Sequence, residues 1–384
     1  MDKTSVASLA DLHTRKSAKW RIFDSEIIPL GLAEMDLPIA EPIKAALVEL
    51  VEKSDLGYGG IAPELGHAFS GFASRRWGWQ PDPQQCWLTT DVAVAGIETL
   101  RLFCAPGDSI GLSTPVYHEF VHWIDEVSGH AVDIPLLHEP GGNWRLDLNG
   151  IEAAFASGVK AYILCNPHNP VGYIPSRDEL ETLADLADEH NVLVISDEIH
   201  APLIYAAQSF TPYLGINAQS RRTGVCITSA SKAWNTAGLK CAQIITHDEQ
   251  RGEAFAHFSE HKSWRASLLG AWANIVAYSE CETWLDDTIL YLDENRKLVQ
   301  KLLEQHLPQA RYRLPDCTYL AWIDLSAYWA ERPATYLREQ AKIAFSEGID
   351  FGPAGAGHVR LNFATSPEII TEAITRSAKV FLSN

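Results

Sequence analysis

The sequence predicts an α/β protein, in which a doubly wound, mostly parallel sheet is followed by a smaller α+β region. Apolar runs at 160–165, 191–195 and 225–228 have the length of strands. Continuous apolar strands are typical of parallel sheets that are covered on both faces. The residues Ser176-Arg177-Asp178-Glu179 have the form of a capping box, so a helix begins there and connects the first two strands. Strands and helices that alternate in this way indicate parallel crossover units.

The pattern changes near Cys281, where a long amphipathic helix begins. A second helix at about 334–345 and a strand at 358–363 follow it. This mixture predicts a separate, smaller α+β domain. We therefore divide the chain into an N-terminal segment at 1–44 that joins the small domain, a large domain at 45–280 and a small C-terminal domain at 281–384.

Composition disfavours several classes of partner. The formal net charge is −18 at pH 7, whereas nucleic acids and anionic membranes bind basic surfaces. No apolar run approaches the roughly 18 residues of a transmembrane helix, and the first residues lack the apolar core of a signal peptide. The seven cysteines are scattered without a Cys-x-x-Cys pair, which suits free thiols in a reducing compartment. We predict a cytoplasmic protein that acts on a small molecule, with no nucleic-acid or membrane partner.

A phosphate-binding position is predicted near residue 92. A short strand at 87–90 leads into the small residues of 91–97, which begin a helix. Backbone N–H groups at a helix start are free to bind a phosphate. Those of Val92 and Ala93 are the candidates.

The residues His118-Glu119-Phe120-Val121-His122 match the H-E-x-x-H signature of zinc proteases. That chemistry needs both histidines on one face of a helix, a glutamate base and a further ligand. No downstream G-x-x-H or partner glutamate accompanies the motif. We therefore predict no metal site, and zinc hydrolysis stays a distant alternative.

Polar residues follow three of the predicted strands. Asn169 comes after the run at 160–165, Asp197 after that at 191–195 and Lys232 after that at 225–228. Ligands of doubly wound sheets bind at the carboxyl ends of the strands. We expect these three side chains to share one crevice.

The lysine stretch Ser229-Ala230-Ser231-Lys232 is ambiguous by itself. A lysine between hydroxyl residues after an apolar strand suits covalent attachment of a carbonyl cofactor whose phosphate the hydroxyls bind. By itself the stretch favours a simple loop lysine after an edge strand, because short motifs often mislead. The coincidence with Asp197 and Asn169 favours the cofactor site.

Together these residues match the requirements of pyridoxal 5′-phosphate (PLP). Lys232 would bond to the cofactor aldehyde, Asp197 would keep the pyridine nitrogen protonated and Asn169 would donate to the phenolic oxygen. Ser229 and Lys240 would add donors to the phosphate. Each residue also has a structural explanation, such as a helix cap for Asp197.

Two further residues complete the predicted site. Tyr117 could stack on the face of the cofactor ring, or be a packed core aromatic. Arg360 could bind a substrate carboxylate through two parallel hydrogen bonds, which lysine cannot form, or be a surface charge on a strand. The joint pattern favours the functional interpretation of both.

The chain resembles fold-type-I PLP enzymes of the aminotransferase class I/II family, which have an aspartate aminotransferase-like fold. Within that family it is most similar to the cystathionine β-lyase or C–S lyase branch. The family motifs are N-P-H-N-P-V-G at 166–172, D-E-I-H at 197–200, S-A-S-K at 229–232 and the Arg360 segment. The branch motifs are A-E-M-D at 33–36, T-P-V-Y-H at 114–118, T-Y-L-A-W at 318–322 and F-G-P at 351–353. Cys317 departs from the glycine that is usual in the branch.

The resemblance implies a role for each matching residue. Lys232, Asp197, Asn169 and Tyr117 would bind the cofactor as described above, and Arg360 and Ala33 would bind the substrate. The resemblance also implies a homodimer, in which Tyr58 reaches the phosphate of the neighbouring site. His200 stands where many relatives have a tyrosine that bonds the phenolic oxygen, and Lys240 stands where many have an arginine. Both are assigned to the cofactor by position.

The reaction that the resemblance implies is α,β-elimination from a sulfur amino acid such as cystathionine. Lys232 would remove the α-proton, and a thiol, pyruvate and ammonia would be released. Transamination begins with the same proton removal, so the residues alone leave it open. A PLP-binding regulator that uses the same fold is the alternative from another class.

Overall fold

The computed structural model describes residues 6–60, 62–139 and 142–383, without the side chains of 258–262. Its helices and strands alternate through the first two thirds of the chain, as the sequence predicts. The helices are α1 (Leu9–Leu12), α2 (Glu41–Glu52), α3 (Pro63–Trp77), α4 (Val92–Phe103), α5 (Glu119–Glu126), α6 (Leu148–Ala156), α7 (Arg177–Glu189), α8 (Ala218–Thr223), α9 (Glu249–Ser263), α10 (Leu268–Glu280), α11 (Glu282–His306), α12 (Pro333–Gln340) and α13 (Pro367–Leu382). The strands are β1 (Ile28–Pro29), β2 (Cys86–Thr89), β3 (Ser109–Leu112), β4 (His130–Asp133), β5 (Leu137–His138), β6 (Trp144–Arg145), β7 (Ala161–Cys165), β8 (Leu193–Asp197), β9 (Gly224–Thr228), β10 (Ala242–Ile245), β11 (Arg311–Tyr312), β12 (Leu320–Asp324), β13 (Ile343–Ala344), β14 (Ser346–Glu347) and β15 (His358–Asn362).

The large sheet contains seven strands in the described part of the chain, in the order β2-β10-β9-β8-β7-β3-β4. β10 runs antiparallel to both of its neighbours, and the other pairs are parallel. The prediction of a doubly wound, mostly parallel sheet is therefore confirmed. Because Cys165 pairs with Asp197 at the ends of β7 and β8, the segments that follow both strands start at the same edge of the sheet.

Both faces of the large sheet are covered, which explains the continuous apolar runs. Every residue of β7, β8 and β9 is buried. Tyr162 and Leu164 face one hydrophobic cluster, with helix α7, while Ile163 and Cys165 face the other, with α4 and α5. A strand alternates its side chains between two faces, so each face here needs its own apolar set. The predicted capping box at Ser176 forms at the start of α7.

The small sheet is antiparallel, in the order β11-β12-β15-β14, and α11 and α13 pack against one another beside it. The N-terminal strand β1 pairs with β13, which brings the start of the chain to this sheet region. The boundaries at residues 44 and 280 remain predictions. In the described residues no helix is long and apolar enough to cross a membrane.

The prediction of one helix over 334–345 is wrong at its C-terminal end. Helix α12 ends at Gln340, and β13 and β14 occupy 343–347. Lys342 has a φ of 60°, a left-handed conformation that ends the helix. Pairing of β13 with β1 and of β14 with β15 then outweighs the helical preference of the local sequence.

Candidate active site

The crevice at the carboxyl edge of the large sheet contains the three predicted polar residues. Asp197 is the last residue of β8, Asn169 lies in the loop after β7, and Lys232 lies in the turn after β9. Charge interactions link Lys232 with Asp197 and with Arg360 of β15. The Nζ of Lys232 donates a hydrogen bond to the backbone oxygen of Ala33 at 2.8 Å. Thus the large sheet, the small sheet and the N-terminal segment all contribute to one site.

The environment of Lys232 lowers the pKa of its amine. Its side chain is partly accessible, yet desolvation by the surrounding protein, followed by the charge of Arg360, lowers its pKa to about 8. The charges of Glu34 and Asp197 oppose this shift. An amine with such a pKa is unprotonated often enough near neutral pH to attack a carbonyl carbon or to accept a proton.

Asp197 is a buried carboxyl group that lacks a full counter-charge. Burial raises its pKa to about 7, against the hydrogen bond from the Ile199 N–H to Oδ1 at 3.1 Å and the charge of Lys232. A buried carboxylate is costly unless a cation compensates it. A protonated pyridine nitrogen would supply that cation, so the residue fits a PLP ring.

Arg360 is buried and positioned by neutral acceptors. Its guanidinium donates to Asn169 Oδ1 at 3.1 Å, to the Gly31 oxygen at 2.8 Å and to Ser346 Oγ at 3.2 Å. It also lies 4.7 Å from the centre of the Phe351 ring. In the described part of the chain no carboxylate pairs with it, and its Nε has no hydrogen-bond partner. A buried guanidinium of this kind fits an incoming carboxylate.

The hydrogen bond from Arg360 also orients the side-chain amide of Asn169. A guanidinium has only donors, so the amide oxygen of Asn169 is the group that faces Arg360. The Nδ2 group therefore points elsewhere and can donate to a cofactor oxygen. The backbone N–H of Asn169 is held by the sulfur of Cys165 at 3.4 Å.

His200 is buried as a neutral imidazole. Desolvation and the charges of Lys232 and Arg360 lower its pKa to about 3. Its Nδ1 has no hydrogen-bond partner among the described residues, and its ring packs edge-on against Tyr319 at 6.1 Å. A neutral imidazole with an open nitrogen can bond a cofactor oxygen.

The start of α4 offers the predicted phosphate position. The helix begins at Val92, so the N–H groups of Val92 and Ala93 have no acceptor within the helix. Asp91 caps the helix through the Val94 N–H at 2.9 Å, and its other oxygen pairs with Lys240 at 3.1 Å. Lys240 is thus placed beside the helix start, where its charge can reach a phosphate.

Ser229 lies beside this position but is directed elsewhere. Its hydroxyl donates to the Cys241 oxygen at 2.7 Å and accepts from the Ser231 N–H at 3.0 Å. The hydroxyl hydrogen is therefore already used inside the protein. A role in phosphate binding remains a prediction for this residue.

The two predicted aromatic residues have different environments. Tyr117 is half-buried and interacts electrostatically with Arg360 and Asp197; desolvation raises its pKa to about 12 and keeps the phenol neutral. Tyr58, by contrast, is 82% exposed, and its ring contacts Trp264 at a centroid distance of 5.9 Å. Tyr117 thus belongs to the crevice of its own chain, whereas Tyr58 is exposed on the surface.

The H-E-x-x-H residues do not form a metal centre. Helix α5 begins at Glu119, so His118 precedes it, and His118 Nε2 lies 3.2 Å from Glu119 Oε1. The His118 ring packs edge-on against Phe351. Within the described residues, no group of three histidine, cysteine, aspartate or glutamate side chains could hold a metal ion.

Four polar residues of this site were not predicted from the sequence. Tyr319 donates to the Ala33 oxygen at 3.0 Å, and Ser346, Asn362 and Asn235 bond the backbone of 31–37. Polar residues at alternate positions of the buried strand β15, Arg360 and Asn362, were a signal that one face of this strand lines a polar site.

Comparison with known proteins places the geometry in a family. The sequence pattern described as aminotransferase class I and II matches residues 25–376. A protein of Corynebacterium glutamicum named cystathionine beta-lyase is 36% identical over 97% of this chain and 98% of its own. The structure of cystalysin from Treponema denticola, which contains PLP, has a TM-score of 0.93 and 28% identity over 100% of this chain and 99% of its own. A PLP-bound C–S lyase from Staphylococcus hominis has a TM-score of 0.90 and 27% identity over 96% of each chain.

Proposed function

We propose, from the premise that the chain belongs to the aminotransferase class I and II family, that it is a PLP-dependent carbon–sulfur β-lyase. Its substrates are cystathionine and related cysteine S-conjugates. The similarity to a named cystathionine beta-lyase along nearly the whole chain carries the reaction class. With cystathionine the released thiol is homocysteine, which methionine synthesis consumes. The scattered cysteines support a cytoplasmic location.

The residues of the crevice fit the cofactor. Lys232 would bond its aldehyde, Asp197 would pair with its ring nitrogen, and Asn169 and His200 would face its phenolic oxygen. At the other end, the start of α4 and Lys240 would hold its phosphate, with Ser229 beside them. When bound, PLP supplies the capacity to withdraw the electron pair that the departing α-proton leaves behind.

Side chains of the protein bind the substrate and accept its α-proton. Arg360, whose Nε has no partner among the described residues, binds the substrate carboxylate, and this fixes the α-carbon near Lys232. The neutral amine of Lys232 accepts the α-proton. Loss of the thiolate from Cβ then breaks the carbon–sulfur bond. Hydrolysis of the three-carbon remainder yields pyruvate and ammonia, so the sum consumes one substrate and one water.

The protein is proposed to act as a homodimer. Tyr58 and Trp264 are exposed aromatic residues in contact with one another, and Trp272 of α10 is 37% exposed nearby in sequence. Exposed aromatic residues are enriched at protein interfaces. A second copy would cover these side chains and bring its Tyr58 to the phosphate.

Transamination is the second candidate, because it begins with the same removal of the α-proton by Lys232. A PLP-binding regulator is a third, and it predicts cofactor binding without turnover. Incubation of the purified, PLP-loaded protein with cystathionine or cystine, without a keto acid, separates them. We expect pyruvate and a free thiol to appear together. Turnover only after addition of a keto acid would overturn the lyase in favour of an aminotransferase.

The cofactor itself is tested by absorbance. We expect a yellow protein whose visible band borohydride removes, and a Lys232→Ala variant that lacks this band. Arg311→Ala, at an exposed strand position, is the matched control and should keep the colour. A colourless wild-type protein after loading with PLP would overturn the proposal.

A further inference from the structure

The segment 31–37, which we call the strap, contacts the crevice through its backbone, since the Gly31 oxygen accepts from Arg360 and the Ala33 oxygen from Lys232. Side chains, rather than a sheet ladder, hold most of its carbonyl groups. Asn362 donates to the oxygens of Leu32 and Glu34, both at 2.7 Å. The oxygen of Ala33, which lies between them in sequence, accepts from both Lys232 and Tyr319. The strap therefore sets the position of the backbone oxygen that holds the lysine amine.

Asn235 connects the strap directly to the turn that carries Lys232. Its Oδ1 accepts from the Met35 N–H at 3.1 Å, and its Nδ2 donates to the oxygens of Met35 and Leu37, both at 3.0 Å. The amide thus uses its oxygen and both hydrogens on the strap. Asn235 also has a φ of 58°, a left-handed conformation that asparagine tolerates better than most residues.

The turn itself is held by short-range bonds. The Trp234 N–H donates to the Ala230 oxygen at 2.9 Å, and the Thr236 N–H donates to the Ser231 oxygen at 3.0 Å. In the described part of the chain, the hydrogen bonds between turn and strap come from Lys232 and Asn235. The lysine contact must be broken whenever its amine reacts. Asn235 is then the connection that persists.

We propose that Asn235 is a positioning residue for Lys232, which keeps the strap in register with the lysine turn while the amine is engaged elsewhere. This inference rests on the proposed function, because Lys232 acts as the base there. The Ala33 oxygen accepts from the Lys232 amine when that amine is free, so it must be in place whenever the amine is released. Small displacements of a reacting group lower rates strongly, by up to about 100-fold for 1 Å.

The strap is also anchored by buried residues independently of Asn235. The carboxylate of Asp36 accepts from Lys19 Nζ and from Trp20 Nε1, each at 2.8 Å. Lys19 and Trp20 lie earlier in the N-terminal segment, so these bonds fasten the strap to residues 19–20 and not to the lysine turn. Removal of the Asn235 amide should therefore leave the fold intact and change only the position of the strap relative to the lysine turn.

The test compares Asn235→Ala and Asn235→Asp with wild type. The aspartate has the same shape, but it cannot donate to the oxygens of Met35 and Leu37. Asn295→Ala is the matched control, because Asn295 is equally an amide that donates to two backbone oxygens, those of Phe363 and Thr365, and it does not bond the strap. Amide hydrogen exchange of 31–37 is measured in the protein without PLP, and kcat and KM are measured with PLP and cystathionine.

We expect both Asn235 variants to exchange the strap amides about 10- to 100-fold faster, as loss of buried hydrogen bonds permits local opening. We expect kcat to fall about 10- to 100-fold with KM within about threefold. The control should change neither. Unchanged exchange in both variants, or wild-type kcat despite faster exchange, overturns the positioning role. An equal loss of kcat in Asn295→Ala would assign the effect to general destabilisation. That result would also overturn the positioning role of Asn235.

Failure of the proposed function gives a different result. If wild-type protein does not cleave any cysteine S-conjugate, the lyase is wrong, while hydrogen exchange still reports whether Asn235 holds the strap. The rate at which the protein without cofactor takes up PLP, followed by visible absorbance, then replaces kcat. That rate depends on the placement of the Lys232 amine, so it should fall in both Asn235 variants and not in the control.

Discussion

Arg360 donates a hydrogen bond to the amide oxygen of Asn169 at 3.1 Å, across 191 positions of sequence. The bond joins a strand of the small sheet to the loop after β7. It also orients Asn169 so that its NH₂ group is available to the cofactor. Under the proposed function, Arg360 would therefore link the substrate carboxylate to the group that faces the cofactor oxygen.

This relationship predicts coupling between the two residues. We expect Arg360→Met and Asn169→Ala each to lower kcat/KM with cystathionine, by about 100-fold for the arginine, because its bond to the carboxylate is lost. In the double variant the losses should be less than additive, with a coupling of about 1 kcal/mol. Steady-state kinetics of the four proteins measures it. Fully additive losses would show that Asn169 is oriented independently of Arg360.

The pH dependence of cofactor uptake is expected to follow Lys232. Its amine must be unprotonated to react, so the uptake rate should rise with pH and level off above about 8. Arg360 lowers this pKa by its charge, while Glu34 and Asp197 raise it. Arg360→Met should therefore move the midpoint to higher pH. A midpoint that stays in place or falls would contradict the electrostatic assignment; Arg311→Met is the control.

Asp197 predicts a pH-dependent stability in the protein without cofactor. Its folded pKa of about 7 lies above the unfolded value near 4, so the folded state keeps the proton longer. The stability it contributes is present below pH 4 and is lost as pH rises to 7, by roughly 4 kcal/mol at most. Asp197→Asn lacks this loss. Its free energy of unfolding, measured in urea, should therefore rise relative to that of wild type between pH 5 and 8.

The comparison with Asp197→Asn isolates this residue from its neighbour. Glu198, whose pKa is also raised to about 7 by burial, is present in both proteins and cancels. Addition of PLP should make wild type the more stable of the two proteins. The protonated cofactor nitrogen compensates the charge of the aspartate, whereas the amide of the variant carries no charge to compensate. A stability difference that does not vary with pH would contradict the assignment.

The homodimer is tested by complementation. Lys232→Ala and Tyr58→Ala should each be inactive or nearly so when alone. If Tyr58 serves the neighbouring site, a mixed dimer has one intact site, and random exchange of subunits restores about a quarter of the wild-type activity. Assays of the mixture after unfolding and refolding together measure this. No recovery in a dimer that exchanges subunits would place Tyr58 outside the neighbouring site.

The sequence predicted much of the site because its residues follow strands. The runs that precede Asn169, Asp197 and Lys232 are buried on both faces, so their apolar character was visible without the structure. The carboxyl ends of parallel strands share an edge, and this rule brought the three residues together. The fold class and the family are confirmed by the structure and the comparisons.

Other features depended on contacts between distant segments. The helix expected over 334–345 gives way to β13 and β14, since pairing with β1 and β15 outweighs local preference. The hydroxyl of Ser229 donates to the Cys241 oxygen, 12 positions further along the chain. Local patterns of residues do not reveal which partner a polar side chain meets.

The sequence by itself determined the α/β sheet and the order along the chain of the loops that carry the site. It also determined that a lysine, an aspartate, an asparagine and an arginine supply the chemistry of that site. These follow from apolar periodicity and residue type, which are local properties of the chain. Only the tertiary structure decided that the oxygen of Ala33 holds Lys232, and that Asn235 ties the strap to the lysine turn. Ala33 acts here through its backbone, which every residue carries, so only its placement beside Lys232 gives that oxygen its role.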